Sequence, residues 1–189
     1  VDAIAADSTI HEVILSGGDP LLLDDDHLRD LVRRLEAVPH VRRLRIHSRL
    51  PIVLPSRVTD ALVATLSATR LAVVVVVHAN HPAELDATVA AAVARLAEAR
   101  VILLNQAVLL AGVNDSLEVL EQLSERLIDL GIVPYYLHLL DRVQGTAEFE
   151  VDEQTARSLH ERLRAVLPGY AVPRLVREMP GEPAKVWIG

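Results

Sequence analysis

Along the chain, short apolar runs alternate with segments whose apolar residues recur every three or four positions. The pattern predicts strands at Glu12–Ser16, Arg42–His47, Leu71–His78, Val101–Asn105 and Val133–Leu139. Leu71–Val77 is apolar throughout and rich in β-branched residues, as a parallel strand covered on both faces requires. Between these runs lie helices with readable starts and stops. Asp24 caps a helix carrying Leu28, Leu31, Val32 and Leu35, and Pro39 follows its end. Thr59 caps Asp60–Ala68, and Pro82 suits the first turn of a helix carrying Leu85, Val89, Val93 and Leu96. Asp115 or Ser116 opens a helix that Gly131 ends, and Asp152 opens another that stops at Pro168-Gly169. Strand and helix in steady alternation predict an α/β fold with a parallel sheet and right-handed crossovers. No linker, repeat or low-complexity stretch interrupts it, so residues 1–189 read as a single domain.

Polar residues gather where the predicted strands end. Ser16-Gly17-Gly18-Asp19-Pro20 follows the first, His47-Ser48-Arg49 the second and His78-Ala79-Asn80-His81 the third. Asn105-Gln106 follows the fourth, and His138 with Asp141-Arg142 the fifth. In parallel α/β folds ligands bind at the C-terminal ends of the strands. Any one of these residues has an ordinary reading as a loop or cap residue; five exits in succession point to an enzyme site.

Composition narrows the chemistry. Apolar residues are 51% of the chain and aromatics only 3%, so the core is built from Leu, Val, Ile and Ala. A net charge of −7 argues against nucleic-acid binding, which needs cations opposite phosphate. The absence of cysteine removes disulfides, thiolate nucleophiles and any thiolate-held metal centre from these residues. No apolar run reaches membrane-spanning length, and Val1–Ile10 reads as the tail of a helix leading into a strand, not as a secretory leader. A soluble, cytoplasmic protein is expected. Lys185 is the chain's single lysine against a background of arginine. Genomic base composition accounts for that ratio; the sharper reading is that a lysine is kept where an amine is chemically required.

The candidate groups keep alternatives open at this level. Gly17-Gly18 lets backbone amides approach a ligand, with Asp19 offering a carboxylate, or forms a simple capped turn. It is not a phosphate loop, because no Gly-Lys-Ser/Thr follows. His78 and His81 lack a third ligand at convincing spacing, so no metal site is expected, and His78 reads as a ligand contact. No Gly-x-Ser-x-Gly elbow supports a serine hydrolase. Lys185, in a loop dense in Gly and Pro, either forms a Schiff base with an aldehyde or lies in solvent. Asp141 and Glu178 either hold a cationic substrate end or face water.

Several motifs in order carry a resemblance: Val13-Ile14-Leu15-Ser16-Gly17-Gly18-Asp19-Pro20-Leu21, Arg45-Ile46-His47-Ser48-Arg49-Leu50-Pro51, His78-Ala79-Asn80-His81-Pro82, Leu104-Asn105-Gln106-Ala107-Val108, Gly112-Val113-Asn114-Asp115 and Pro134-Tyr135-Tyr136-Leu137-His138. Together they resemble the lysine 2,3-aminomutase family of radical S-adenosylmethionine (SAM) enzymes. The loop Gly181-Glu182-Pro183-Ala184-Lys185 and the stretch Leu137 to Gly145 resemble the branch that serves translation elongation factor P. The resemblance implies a partial (β/α)6 barrel with SAM, a [4Fe-4S] cluster and pyridoxal phosphate (PLP). Its reaction converts L-lysine to (R)-β-lysine through a 5′-deoxyadenosyl radical, and a partner ligase attaches the product to elongation factor P. By motif position, Ser16, Gly17, Gly18 and Asp19 would bind the methionyl part of SAM, with His78 and Gln106 as further SAM contacts. Lys185 would be the catalytic residue that carries PLP, within a C-terminal segment at about 168–189. Asp141 and Glu178 would hold the substrate's far ammonium.

Two departures accompany the match. The family holds its cluster with Cys-x3-Cys-x2-Cys after the first strand, so the resemblance puts those cysteines and that strand upstream of Val1 and makes these residues alone inactive. Val186-Trp187-Ile188-Gly189 also differs from the family's usual continuation. Other classes remain in play: a cluster-less binding or scaffold relative, or a barrel lyase using a lysine Schiff base. No nucleic-acid or membrane partner is expected, and self-association stays open.

Overall fold

The computed structural model describes residues 1–141, 145–179, 181–182 and 184–189. Arg142, Val143, Gln144 and Pro183, within stretches that carry the family resemblance, and Pro180 lie outside the described residues. The chain forms two compact units, one of residues 1–77 with 87–104 and one of residues 78–86 with 105–189.

The first unit opens with a short helix α1 (Asp2–Ala6), followed by β1 (Glu12–Leu15), α2 (Asp25–Glu36) and β2 (Arg43–His47). Then come α3 (Leu50–Val53), α4 (Asp60–Ala68), β3 (Ala72–Val77) and α5 (Ala87–Glu98). The strands pair in parallel and in chain order, Ile14 opposite Arg45 and Ile46 opposite Val75. Helix α2 begins where its sequence dictates. The Asp24 carboxylate accepts from His27 N at 2.8 Å, Asp25 and Asp26 oppose the positive helix end, and Arg33 and Arg34 close the other. Its buried face is Leu28, Val32 and Leu35. Thr59 caps α4 by accepting from Leu62 N, and Leu62 and Leu66 pack inward with Leu44, Ile46, Val73 and Val75. Ala72 at the start of β3 is exposed and Val74 half-buried, so the expected two-faced cover holds only from Val75 onward.

The chain passes between the units within β4 (Ile102–Leu109). The second unit continues with α6 (Leu117–Asp129), β5 (Val133–Leu139), α7 (Glu153–Val166), β6 (Arg174–Arg177) and β7 (Val186–Trp187). Ser116 and Asp152 cap α6 and α7, and Leu120, Leu123, Leu127, Leu159 and Leu163 form much of the core with Ile132, Leu137 and Leu175. β5 pairs with β6 in parallel, but β6 pairs with β7 antiparallel, Val176 opposite Trp187 and Arg177 opposite Val186. An all-parallel sheet was expected. The return from β6 is antiparallel because residues 178–185 are too short a segment for the crossover of about a dozen residues or more that brings a strand back parallel. The last residues are docked: Ile188 N donates to Leu175 O at 2.9 Å, and Arg174 stacks on the Trp187 ring at 4.5 Å.

Two further differences concern helix and strand limits. Pro82 starts a separate 3-10 turn, Pro82–Glu84, and the helix proper begins at Ala87. Strand β4 continues four residues beyond the expected end, with Leu103, Asn105, Ala107 and Leu109 buried in alternation. Among the described residues no helix is long and apolar enough to cross a membrane.

Candidate functional site

In the first unit, Ser16 and the two glycines after β1 are exposed. Gly17 and Gly18 have φ of 86° and 61°, a left-handed conformation that side chains rarely tolerate, and a Cβ on either would meet nothing within 4 Å. The backbone is therefore bare and approachable there. Asp19 is held from three sides: Oδ1 accepts from Leu21 N at 3.0 Å and Ser48 Oγ at 2.7 Å, and Oδ2 accepts from Arg49 N at 2.8 Å. A carboxylate has about four acceptor sites, which leaves about one for a ligand. Ser48, 1% exposed, also accepts from Leu50 N, so the segments after β1 and β2 are locked together through one carboxylate. Arg57 fixes the stretch that follows, donating to Leu21 O, Leu23 O and Asp25 Oδ1 at 2.6–2.7 Å.

In the second unit three asparagines perform the same service. Asn105 accepts from Ala79 N at 2.9 Å and donates to Ala79 O at 3.0 Å. Asn80 Oδ1 accepts from Val108 N, while Asn114 accepts from Leu110 N and donates to Asn80 O and Val108 O. The loop at 78–80 is thus stapled to β4 and to the turn beyond it. Asn105, expected at a strand exit and facing the site, lies mid-strand and buried, engaged with the backbone. His81 is a cap: its Nδ1 accepts from Ala83 N, and Glu84 Oε1 accepts from Asn80 N and His81 N. His78 and Gln106 flank these staples, both half-buried. Gln106 Oε1 is a buried acceptor with no donor among the described residues.

The register of β6 with β7 brings together two residues seven apart. Because Arg177 faces Val186, the next positions along the hairpin are Glu178 and Lys185, and Lys185 Nζ donates to Glu178 Oε1. The Lys185 side chain is 26% exposed and Glu178 57%. The Tyr136 ring lies 5.7 Å from Nζ, and His138 packs edge-on to Tyr136 at 5.6 Å. The Glu178 carboxyl is held below its usual range, chiefly by the hydrogen bond and charge of Lys185, with a smaller contribution from His138. Glu178 also lines a cavity of about 620 Å³ with Asp141, Glu150, Arg177, Leu139 and Met179. Among the described residues the lining carries three carboxylates, Asp141, Glu150 and Glu178, against one guanidinium, Arg177, which donates to Glu153 at 2.8 Å. Such a cavity favours a cation.

Of the residues singled out by sequence, Ser16, Gly17, Gly18 and Asp19 therefore lie together in the first unit. Asp141 and Glu178 share one cavity in the second, with Lys185 against Glu178. Glu150, Arg177 and Tyr136 escaped the sequence reading: Glu150 precedes a helix cap with nothing to mark it, and Arg177 gained its place only through the unread strand β6.

No family model matches the chain. Among curated proteins it is 50% identical over 185 residues to an L-lysine 2,3-aminomutase from Haemophilus influenzae, and 49% to the one from Escherichia coli. It is 44% identical to that of Buchnera aphidicola over 188 residues. These alignments cover 98–100% of this chain but 54–55% of the relatives, so the chain spans about half the length of the curated relatives it matches. Two solved structures share the fold: a domain of a pyruvate-formate lyase-activating enzyme from Bacteroides vulgatus and a radical SAM methyltransferase from Sphaerobacter thermophilus. The first has a TM-score of 0.58 at 16% identity, covering 88% of this chain and 98% of that one. The second has a TM-score of 0.60 at 18% identity, covering 89% and 51%. The fold is that of a partial α/β radical-SAM barrel.

Proposed function

We propose, from the chain's membership of the lysine 2,3-aminomutase family, that it supplies the cofactor amine and the substrate-cation site of an enzyme that converts L-lysine to (R)-β-lysine. The observation that carries this reading is the acidic cavity beside the chain's only lysine, whose amine rests on one of the cavity's own carboxylates.

The residues present fit two of the three groups such an enzyme needs. Lys185 is reachable and is the one side-chain amine available to the aldehyde of PLP. In the first unit the bare amides of Gly17 and Gly18 and the remaining acceptor capacity of Asp19 suit the polar end of SAM. The family resemblance separately names His78 and Gln106 of the second unit as SAM contacts, and Gln106 Oε1 is a buried acceptor there. A thiolate-held iron–sulfur cluster finds no ligand in these residues, because the chain has no cysteine; in this reading its ligands come from outside them. When bound, PLP and SAM supply an electron-accepting ring joined to the substrate nitrogen and a carbon radical that takes a hydrogen atom from Cβ.

The chain's own side chains then have separable roles. Lys185 would hold PLP covalently before the substrate nitrogen takes its place. Asp141 and Glu178, with Glu150 nearby, offer negative charge to the far ammonium of lysine, which loses hydration on entering the cavity and needs a compensating partner. The Arg177 guanidinium donates to Glu153, a carboxylate it shares with Arg157. Asp19 and the asparagine staples keep their loops in place. The product then passes to a ligase acting on translation elongation factor P in the cytoplasm; the support is the likeness of residues 137–145 and 181–185 to that branch.

The test is a product assay. Enzyme containing this chain and a thiolate-held cluster is incubated without oxygen with L-lysine, SAM, PLP and a reductant. Formation of (R)-β-lysine that disappears in Lys185→Ala supports the reading. Its absence with all three groups loaded overturns it. The 189 residues alone, given iron and sulfide, are expected to bind no cluster and form no product.

A further inference from the structure

Glu178 lies between the Lys185 ammonium and an acidic cavity. Its Oε1 accepts from the ammonium of Lys185, and the same carboxylate lines the cavity that Asp141 and Glu150 make acidic. The pairing is set by the backbone, because the hairpin register places Glu178 and Lys185 directly after the last paired residues, Arg177 and Val186. The lowered Glu178 carboxyl agrees with a carboxylate already committed to a cation.

We propose that Glu178 changes partner: it holds the Lys185 ammonium while that amine is free, and turns to a cationic group in the cavity once Lys185 is bonded to a carbonyl carbon. This rests on reading Lys185 as the cofactor amine and the cavity as the cation site. A free ammonium presents three N–H donors and a full charge. In condensation it first loses a proton to solvent. The amine then forms a C=N bond as the C=O bond breaks, and the carbonyl oxygen leaves as water. The nitrogen keeps at most one N–H, and the claim of Lys185 on Glu178 weakens. The Glu178 carboxylate is then available to the cavity that Asp141 and Glu150 also line. Loading of the lysine and affinity for a cation are therefore coupled, each favouring the other by the same factor.

Calorimetric titration with 1,5-diaminopentane, a dication without a carboxylate, tests this on four proteins: the original, Lys185→Met, Glu178→Gln and the double variant. Lys185→Met is expected to bind the probe about fivefold more tightly than the original, within the range for partly exposed ion pairs. That gain is expected to vanish in the double variant. Equal affinity of the original and Lys185→Met overturns the exchange, as does a gain that survives in the double variant. Absence of binding to all four at millimolar probe removes the cation-site reading itself, and the exchange with it. A second comparison needs no substitution: the original protein is titrated before and after acetylation of its lysine, which removes the ammonium charge. The acetylated protein is expected to bind the probe more tightly, and unchanged affinity contradicts the proposal.

Discussion

Replacing Asn114 with alanine should destabilise the second unit more than most buried polar substitutions. Asn114 has 0% exposure and holds three backbone groups at once: Leu110 N at 2.7 Å, Asn80 O at 2.8 Å and Val108 O at 2.9 Å. Each bond contributes about 1 kcal/mol net, and the truncation leaves its partners short of a hydrogen bond in a partly dry setting. The expected loss is about 3–4 kcal/mol. For a chain of this length that lowers the melting temperature by roughly 6–15 °C. Thermal unfolding followed by circular dichroism reads the total. Hydrogen exchange at the Leu110 amide, which has the Asn114 side chain as its acceptor, locates the loss. Asn114→Asp keeps that acceptor but turns an oxygen toward two carbonyls, so it should be no better tolerated. A drop below about 3 °C for Asn114→Ala, with Leu110 exchange unchanged, would refute the view that this side chain staples the 78–80 loop to β4.

Three other outcomes follow from the same structure. Arg57→Met removes the donors to Leu21 O, Leu23 O and Asp25, a pair whose side chains are 14% and 21% exposed; it should cost about 2–4 kcal/mol in urea unfolding, and a loss under about 1 kcal/mol would contradict the assigned clamp. Arg100 adopts φ 61° in the turn after α5, where glycine is at ease; Arg100→Gly should raise stability by about 0.5–1 kcal/mol, read as a higher melting temperature. His160 is buried, with Nε2 donating to Pro173 O, and burial holds its imidazolium below the usual range. The unfolded chain then binds more protons between the two midpoints, so stability falls as pH drops through about 6.5 and levels out below the folded value. His160→Gln, which keeps a donor, should flatten that part of the pH–stability curve; an unchanged slope would contradict the assignment. The lowered Glu178 contributes its own decline only below about pH 4.5.

Where one element carries its own punctuation, the sequence specifies it closely. Thr59 sets the start of α4, and the helix runs over Asp60–Ala68 as expected; β5 occupies the expected Val133–Leu139. Asn105 misled because a polar residue normally ends an apolar run. Its amide satisfies the backbone of Ala79, from a segment 26 residues earlier in the chain, and no local pattern records that. β6 and β7 were unreadable for a related reason: four residues and two residues are too short to show alternation. Lys185 stands out in the sequence as the only lysine in the chain, and Asp141 and Glu178 are singled out there through the family resemblance. The contact between Glu178 and Lys185 was not legible, because it depends on the register of β6 with β7.

The central claim is that Lys185 is the amine that takes an aldehyde cofactor beside an acidic cavity. It is tested most directly by adding PLP to the protein, reducing with borohydride and mapping the adduct by mass spectrometry. The expected result is one pyridoxyl group on the peptide carrying Lys185, lost in Lys185→Ala. Labelling confined to the N-terminal amine, or unchanged by that substitution, would contradict the account.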